Sequence, residues 1–400
     1  MERVGPYEEK LMEKEKMTPR ERVRVALHHK EPDRVPIDLG GCESSIHLGA
    51  YEHLTTNLGL DVRPRLYDKM EQIVAPDEEV LQFVKADFRH IVLKKGFWLL
   101  AEDVEDRHDD PSGRPYFIDE WGIKWGKSQY YYDMIYHPLE EADMEDLEDY
   151  DWPDPSDPER YEGLREEAKQ LYYSTDYAIV ADEIFGGIFE CAQWLRGFEK
   201  FTMDMYKRPE FATALLDKIL EIYLSVYDRY LREVGDYIEV VKFADDVGAQ
   251  GGPFISPVLL RKYIKPRWTK LYKFIHDKTR ARLYHHSCGS VYVFLEDFIE
   301  AGVDILNPIQ PRAAMMNIEN IKREVGNRLV LHGGIDVQRV LPFGTPTDVE
   351  NEVKRVLKAA APGGGYVLAC SHNIQADTPP ENIVAMFKAG LAYGNYPIRI

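Results

Sequence analysis

The chain is short of cysteine, of long apolar runs and of positive charge, and each shortage excludes a class of protein. Its 400 residues include only four cysteines, without the spacing of a disulfide framework, so reduced thiols and a cytoplasmic location are expected. There is no run of about eighteen apolar residues and no signal-peptide pattern, which argues against a membrane protein and against secretion. The formal net charge of −19 argues against nucleic acid as the main partner.

The second half of the chain has a regular rhythm of strand-like and helical stretches, typical of a parallel sheet with crossover helices. No G-x-G-x-x-G and no P-loop follows any strand-like run, so a nucleotide-binding fingerprint is missing. A closed (β/α)8 TIM barrel is therefore predicted. The predicted strands are Tyr177–Phe185, Tyr237–Phe243, Ala281–His285, Val303–Asn307, Leu329–His332 and Tyr366–Ala369. The predicted helices are Pro209–Glu233, Ser256–Lys278, Val291–Ala301, Thr347–Ala361 and Pro380–Tyr393.

The domain organisation follows from the flanking segments. Residues 1–17 are charged and predict a loose N-terminal arm, and residues 18–400 predict a single barrel domain with a cap-like insertion at about 60–175. Thr18, Pro19 and Glu21 form a capping box with proline at the first helical position. The first barrel strand and its turn are expected at 35–41.

Polar side chains follow the predicted strand ends. They are Asp245, Asp246, His286, Cys288, Asn307, Gln310, His332, Cys370 and His372. The carboxyl ends of the strands of a TIM barrel form one face, and active sites are built there. The predicted fold therefore gathers these candidates in one place.

Two cysteines and one histidine form a candidate zinc site. His286 and Cys288 are an H-x-C pair, short enough for both side chains to leave one strand end on the same side, and Cys370 ends another strand. A Cys₂His set holds catalytic zinc with a fourth position open for a substrate atom, and thiolates favour zinc over magnesium or calcium. The alternative is two unrelated buried thiols and a core histidine. Cys42 and Cys191 have no partner at metal spacing and are expected to be inert.

Catalytic roles are predicted for Asp245, Asp246 and His372. Adjacent strand residues point in opposite directions, so at most one of the two aspartates faces the pocket. The inward one would bind zinc or orient His286, and a helix N-cap is the alternative role for the other. His372 is predicted to donate to a substrate oxygen or move a proton, the alternative being an anchor to a backbone carbonyl.

Substrate contacts are predicted for residues near the same strand ends. They are Gln250 beside two glycines, Glu190 with Trp194 on a helix, Asn307, Gln310 and His332. An ordinary turn is the alternative for Gln250, and a position on a helix face is the alternative for Glu190. Tyr130–Tyr132, Trp121 and Trp125 form either an aromatic wall or part of the core.

Several segments share the pattern of a known superfamily. They are Phe243–Pro257, His286-Ser-Cys-Gly-Ser, Ala301–Pro308, His332-Gly-Gly-Ile-Asp, Ser371-His-Asn-Ile and Thr378-Pro-Pro-Glu-Asn-Ile. Together with the opening segment Thr18–Gly40 they resemble the uroporphyrinogen decarboxylase superfamily over nearly the whole chain. This resemblance implies a (β/α)8 barrel with its site at the carboxyl end.

One branch of that superfamily, the corrinoid-dependent methyltransferases, binds zinc through H-x-C and a distant cysteine. The resemblance implies His286, Cys288 and Cys370 as ligands, and a corrinoid (cobalamin) on a carrier protein as the partner that exchanges the methyl group. In thiol-methylating members a carboxylate after the next strand is the fourth ligand. The equivalent stretch here, Asn307–Gln310, is neutral, which leaves one of the two aspartates or a water for that position.

The predicted function is zinc-dependent transfer of a methyl group from a methyl ether, with a methoxylated aromatic favoured, to the Co(I) corrinoid of a carrier protein. Zinc with an open position acts as a Lewis acid on the ether oxygen. The alternative is a metal-free decarboxylase acting on a tetrapyrrole acid, although the stretch 40–44 lacks the arginines with which porphyrinogen decarboxylases grip acidic side chains. A non-enzymatic corrinoid- or tetrapyrrole-binding protein is a third possibility, and a homodimer is left open.

Overall fold

The computed structural model of this protein describes residues 16–96, 104–184 and 186–400. Most of the predicted N-terminal arm, and Phe185 of a predicted strand, lie outside these residues. At the start of the described chain, the amides of Lys16 and Met17 donate to Asp33 Oδ2, each over 3.0 Å.

Short strands alternate with helices along most of the described chain. The strands are β1 (Arg65–Asp68), β2 (Ile73–Ala75), β3 (Phe88–Ile91), β4 (Tyr116–Ile118), β5 (Lys124–Lys127), β6 (Tyr132–Tyr136), β7 (Ala178–Ala181), β8 (Val240–Ala244), β9 (Gly248–Ala249), β10 (Gly252–Pro253), β11 (Arg282–His286), β12 (Ile305–Asn307), β13 (Val330–His332) and β14 (Tyr366–Val367). The helices are α1 (Pro19–Leu27), α2 (Leu48–Leu58), α3 (Glu78–Phe83), α4 (Met144–Asp149), α5 (Leu164–Ser174), α6 (Ile188–Arg196), α7 (Phe198–Lys207), α8 (Pro209–Val234), α9 (Pro257–Leu259), α10 (Lys265–Lys278), α11 (Leu295–Ala301), α12 (Ile318–Val325), α13 (Val340–Phe343), α14 (Pro346–Ala360) and α15 (Pro380–Tyr393). Two 3₁₀ helices cover Pro158–Tyr161 and Tyr292–Phe294, and a π-helix covers Leu260–Ile264.

Seven strands form one parallel sheet in the order β14, β13, β12, β11, β8, β7 and β3. Residues 35–39 join the two ends of this sheet. On one side Asp38 donates its amide to the carbonyl of Leu368 over 3.0 Å, and on the other Asp87 donates its amide to the carbonyl of Ile37 over 2.8 Å. This eighth segment closes the sheet into a barrel with the crossover helices outside, so the predicted (β/α)8 fold is confirmed.

The barrel interior changes from apolar to polar along the strands. Alternate residues of a strand face the same side of the sheet. The inward residues toward the amino ends of the strands form one apolar cluster with two residues of α1: Val23, Leu27, Phe88, Ala178, Val180, Val240, Tyr284, Ile305, Val330 and Val367. Helix α1 therefore plugs the amino end of the barrel. Two positions further along six strands, the next inward residues are polar: His90, Asp182, Lys242, His286, Asn307 and His332.

Helix α1 begins at the predicted capping box. The side chain of Thr18 accepts from the amide of Glu21, the carboxylate of Glu21 accepts from the amide of Thr18, and Pro19 occupies the first turn. These bonds satisfy two amides that would otherwise lack a partner.

The predicted strands and helices from Tyr177 onward overlap the observed ones, and two of the predicted helices are divided. The predicted helix Val291–Ala301 is a 3₁₀ helix followed by α11. The predicted helix Ser256–Lys278 is divided into α9, the π-helix and α10. Pro266 lies in the first turn of α10, directly after the π-helix. Because proline has no amide hydrogen, it cannot donate the helical hydrogen bond to the carbonyl four residues earlier.

The segments outside the barrel do not form one continuous insertion. The predicted cap range, about 60–175, contains the barrel strand β3, so the additional segments lie on either side of it. Before β3 there is the β1–β2 hairpin, and after it the antiparallel sheet β4–β5–β6. Trp121, Trp125 and Tyr132 are buried in the core, whereas Tyr130 is exposed. No helix in the described ranges is long and apolar enough to cross a membrane.

Candidate metal centre

Three nitrogen and sulfur donors meet at the carboxyl end of the barrel. His286 ends β11, Cys288 lies two residues beyond it, and His372 lies in the loop after β14. The Sγ atom of Cys288 is 3.3 Å from Nε2 of His286, and one ligand atom from each of the three residues lies within 4.8 Å of the others. The rings of His286 and His372 meet edge to face with centroids 5.5 Å apart. Such a group can enclose one transition-metal ion.

A buried series of hydrogen-bonded side chains sets the orientation of His286. Its Nδ1 donates to Oδ1 of Asn307 over 2.5 Å, so Nε2 keeps its lone pair toward Cys288. Nδ2 of Asn307 donates to Nδ1 of His332 over 2.9 Å, and Nε2 of His332 donates to Asp38 over 3.0 Å. Fixing the tautomer of a ligand histidine through its other nitrogen is the usual arrangement in metal sites.

Buried ion pairs lie beside these hydrogen-bonded side chains, in the same ring of inward residues. Nε2 of His90 is 3.2 Å from Asp38 and its Nδ1 is 3.3 Å from Asp182. Burial opposes a charged imidazole, but the two carboxylates outweigh it and raise the pKa of His90 to about 9. Nζ of Lys242 pairs with Asp182 over 3.0 Å and with Glu43. The imidazolium and ammonium thus hold three carboxylates in fixed positions.

Gly41 lets the chain pass directly over these ions. Its φ of +70° lies in the left-handed region that favours glycine, and a Cβ there would lie 2.5 Å from Oδ2 of Asp182 and 2.7 Å from Nζ of Lys242. Any side chain at this position would displace the ion pair.

The structure does not bring the predicted zinc ligand Cys370 together with His286 and Cys288. Its Sγ lies 3.5 Å from the sulfur of Met386 on α15, and the residue is 2% exposed. Val367 faces the barrel interior, so by alternation residue 370 faces outward, toward the helix layer. The chain then turns, and His372 is the residue that reaches His286 and Cys288.

The two neighbouring aspartates have separate roles. Asp246 faces the site: its Oδ1 accepts from the amide of Cys288 over 2.6 Å and lies 3.8 Å from Nε2 of His286. Asp245 is fully buried, and its carboxylate accepts from the amides of Phe189 and Glu190 at the start of α6. As expected, one aspartate faces the pocket; Asp245, at the end of β8, accepts from the first amides of α6, although the N-cap residue of that helix is Gly187. The catalytic role predicted for Asp245 is wrong.

Asp245, directly after β8, accepts hydrogen bonds from two helices of the barrel wall. Besides the α6 amides, it accepts from Nε1 of Trp268 on α10 over 2.7 Å. Burial raises the pKa of Asp245 to about 7, although its hydrogen bonds lower it. The side chain therefore joins β8, α6 and α10 in the barrel wall.

We expect Asp245→Ala to lower the free energy of unfolding by about 3 kcal/mol, because it leaves buried donors without an acceptor. The variant should still bind metal, since Asp245 does not reach the donor group. Urea unfolding with metal analysis measures both quantities. The neighbouring Asp246→Ala, with a partly exposed side chain, is the matched control and should cost no more than about 1 kcal/mol. A larger loss for Asp246→Ala than for Asp245→Ala would contradict this assignment.

A narrow cavity of about 90 Å³ lies beside the donor group. His286, His372 and Trp194 line it, together with an unusual number of acidic residues: Glu43, Asp68, Glu71, Glu183, Glu190 and Asp246. The prediction that Glu190 and Trp194 line the pocket is confirmed. Burial and the charges of Asp246 and Asp245 raise the pKa of Glu190 well above its usual range.

A larger cavity of about 640 Å³ opens on the other side of His372. Its lining includes the rings of Tyr130 and Tyr131 and the amide of Gln310. Gln250 is at its edge, where its Oε1 lies 3.4 Å from Nε2 of Gln310. The aromatic wall predicted for this region is therefore made by two tyrosines.

Two of the predicted substrate contacts are positioning residues instead. Asn307 is 0% exposed and His332 is 3% exposed, and in the described structure neither lines the two cavities. Both belong to the hydrogen-bonded series of side chains that orients His286.

Several ionisable residues of the site do not follow from the sequence analysis: Asp38, Glu43, Asp68, Glu71, His90, Asp182, Glu183 and Lys242. A signal is present for one of them. Lys242 occupies an inward position of the otherwise apolar strand Val-Val-Lys-Phe-Ala, whereas His90 follows Arg89 in Phe-Arg-His-Ile. A charged side chain at an inward strand position must have a partner inside the barrel.

The fold and the donor group define an α/β barrel protein with a candidate metal centre at the carboxyl end of its strands. The family profile described as Uroporphyrinogen decarboxylase (URO-D) matches residues 134–393, more than half of the chain. The protein belongs to this family of enzymes.

Individual relatives are distant. The uroporphyrinogen decarboxylase of Neisseria gonorrhoeae (strain NCCP11945) is 27% identical over 179 residues, which are 44% of this chain and 47% of the relative. That of Psychromonas ingrahamii is 24% identical over 192 residues, 47% of this chain and 50% of the relative. The match thus spans about half the length of these curated relatives.

A solved structure extends the similarity to the whole fold. The methyltransferase from Methanosarcina mazei superposes with a TM-score of 0.60 over 94% of this chain and 98% of that chain, at 19% sequence identity. The two proteins share the barrel architecture.

Proposed function

We propose that this protein transfers a methyl group from a methyl ether, with methoxylated phenols as the favoured substrates, to the Co(I) corrinoid of a carrier protein. The observation that carries the proposal is the convergence of His286, Cys288 and His372 at the mouth of the barrel. The shared architecture with a methyltransferase supports it.

The donor group fits zinc. Two imidazoles and one thiol are ligands that zinc prefers, and the hydrogen bond to Asn307 already presents His286 as an Nε2 ligand. Bound there with an open position, zinc would act as a Lewis acid on the ether oxygen. One thiolate in place of the two predicted leaves about one more unit of positive charge at the centre, which favours an electron-rich oxygen.

The chain's own residues would position the substrate. Tyr130 and Tyr131 offer an aromatic surface beside His372. Asp246, held by the amide of Cys288, lies close enough to the donor group to accept a hydrogen bond from a substrate hydroxyl. The ether oxygen would then meet the donor group while the aromatic ring lies in the larger cavity.

The lining of the two cavities disfavours a tetrapyrrole acid. Within the described chain, no arginine or lysine lines either of them, and acidic residues dominate the smaller one. Several carboxylates facing a polycarboxylate would repel it. This charge distribution favours methyl transfer over the decarboxylation for which the curated relatives are named.

The decisive experiment mixes zinc-loaded protein, a reduced corrinoid carrier protein and a methoxylated phenol. Demethylated phenol and methyl-cobalt should appear in equal amounts, and no product should form without the corrinoid. His286→Ala should lower the rate by at least about 100-fold, because it removes a metal ligand. Cys191→Ser, at a buried position away from the site, should keep the rate. Release of carbon dioxide from a porphyrinogen, with no methyl-cobalt from any ether, would overturn the proposal.

A further inference from the structure

A second set of donors lies in the wall of the acidic cavity. The thiol of Cys42 and one carboxylate oxygen each from Glu43 and Glu183 lie within 4.8 Å of one another. Cys42 and Glu43 follow the closing segment 35–39 of the barrel, and Glu183 follows β7. All three line the same cavity as His286 and His372.

The carboxylates of this group are incompletely satisfied. Glu43 is 4% exposed, and while its Oε2 accepts from Lys242, its Oε1 has no hydrogen-bond partner among the described residues. Oε2 of Glu183 is buried and likewise accepts from no donor group among the described residues, and the carboxyl groups of Glu183 and Glu43 contact each other. An unpaired oxygen of a buried carboxylate is costly, and such a position calls for a cation or a proton.

The local charge balance also calls for a cation. Six acidic side chains line the cavity, whereas Lys242 behind its wall is already shared between Glu43 and Asp182. Without an ion, the like charges of Glu43 and Glu183 would face each other with oxygen atoms within 4.8 Å.

The thiol of Cys42 favours a metal ion over an organic cation at this site. An ammonium group gains little from a thiol, whereas a thiolate with two carboxylates is a donor set for a divalent transition-metal ion, with bonds of about 2.0–2.3 Å. Donor atoms already within 4.8 Å of one another need only small side-chain movements to enclose such an ion.

We propose that Cys42, Glu43 and Glu183 bind a second divalent transition-metal ion, of the zinc or cobalt type, in the cavity that the first centre lines. This site does not depend on methyl transfer being the reaction. An ion there offsets part of the negative charge of the cavity and offers a ligand position to a substrate oxygen.

Metal titration of the whole chain tests the proposal. Protein freed of metal with a chelator is titrated with Co(II), and bound metal is counted while thiolate-to-cobalt absorption is recorded. The wild type should bind about two ions per chain, with thiolate bands from two sites. Cys42→Ser/Glu183→Gln and His286→Ala/Cys288→Ser should each bind about one, and the combination of all four substitutions none. Cys191→Ser is the matched control and should bind as many as the wild type.

A second measurement does not require a folded variant. Alkylation of wild-type cysteines, followed by mass spectrometry, should show Cys42 protected at least about tenfold by Co(II), as thiolate coordination removes the nucleophile. Binding of one ion by the wild type, or of two by Cys42→Ser/Glu183→Gln, would overturn the second site. Because metal counting is separate from the methyl-transfer assay, either proposal can fail while the other stands.

Discussion

His372→Ala is expected to remove metal from the His286–Cys288 centre and to abolish methyl transfer, whereas Cys370→Ala is expected to keep both. His372 supplies the third donor of the group, and two donors alone do not hold zinc tightly. Loss of an outer partner of a ligand typically weakens metal binding by about 10–100-fold, so loss of a ligand should exceed about 100-fold. Competition with a chromophoric chelator measures this affinity.

Cys370→Ala is an informative control because it removes a thiol only two residues away. Its sulfur contacts Met386 in the core, so the substitution should lower stability slightly and leave the metal affinity unchanged. His372→Cys should recover part of the affinity, since a thiolate is also a zinc ligand. Loss of metal in Cys370→Ala with full binding in His372→Ala would show that the predicted Cys₂His set is correct after all.

Asp87→Ala is expected to destabilise the fold by about 3–5 kcal/mol, the cost of breaking a buried ion pair by removing one partner. Asp87 is 0% exposed and accepts from Arg22 over 2.6 Å and from Arg34 over 2.7 Å. It also accepts from the amide of Ile37 over 2.8 Å. One carboxylate therefore links α1, the closing segment 35–39 and the start of β3. Urea unfolding followed by circular dichroism measures the loss.

The exposed pair of Lys273 and Asp277 on α10 provides the comparison. Its side chains are 72% and 62% exposed, so Asp277→Ala should change the free energy of unfolding by less than about 0.5 kcal/mol. Similar small changes in both variants would mean that Asp87 is not needed to close the barrel.

The sequence predicted the barrel because its strands and helices have distinct local patterns. Strands β8 and β13 begin with consecutive apolar residues, and the long helix α8 has a clear apolar face. Before Tyr177, the sequence does not show which strands belong to the barrel. Strand β3 is four residues long and contains Arg89 and His90, so its local composition does not distinguish it from the strands of the cap.

Only part of the site follows from the sequence, because residue type alone does not identify the third ligand. His286 and Cys288 are close in sequence, and their geometry follows from one strand end. Choosing between Cys370 and His372 needs the direction of each side chain after β14, which depends on where the strand ends and the turn begins. That position is set by pairing with neighbouring strands, such as the bridge between Ile335 and Cys370, and not by local sequence.

Among the described residues, Val23 and Leu27 of α1 fill the amino end of the barrel, so the donor group is reached from the carboxyl face. Under the proposed function, a corrinoid seated over that face would block the path of the ether. The order of events is then fixed by access: the ether binds first, the carrier docks second, and the phenol leaves only after the methylated carrier has dissociated.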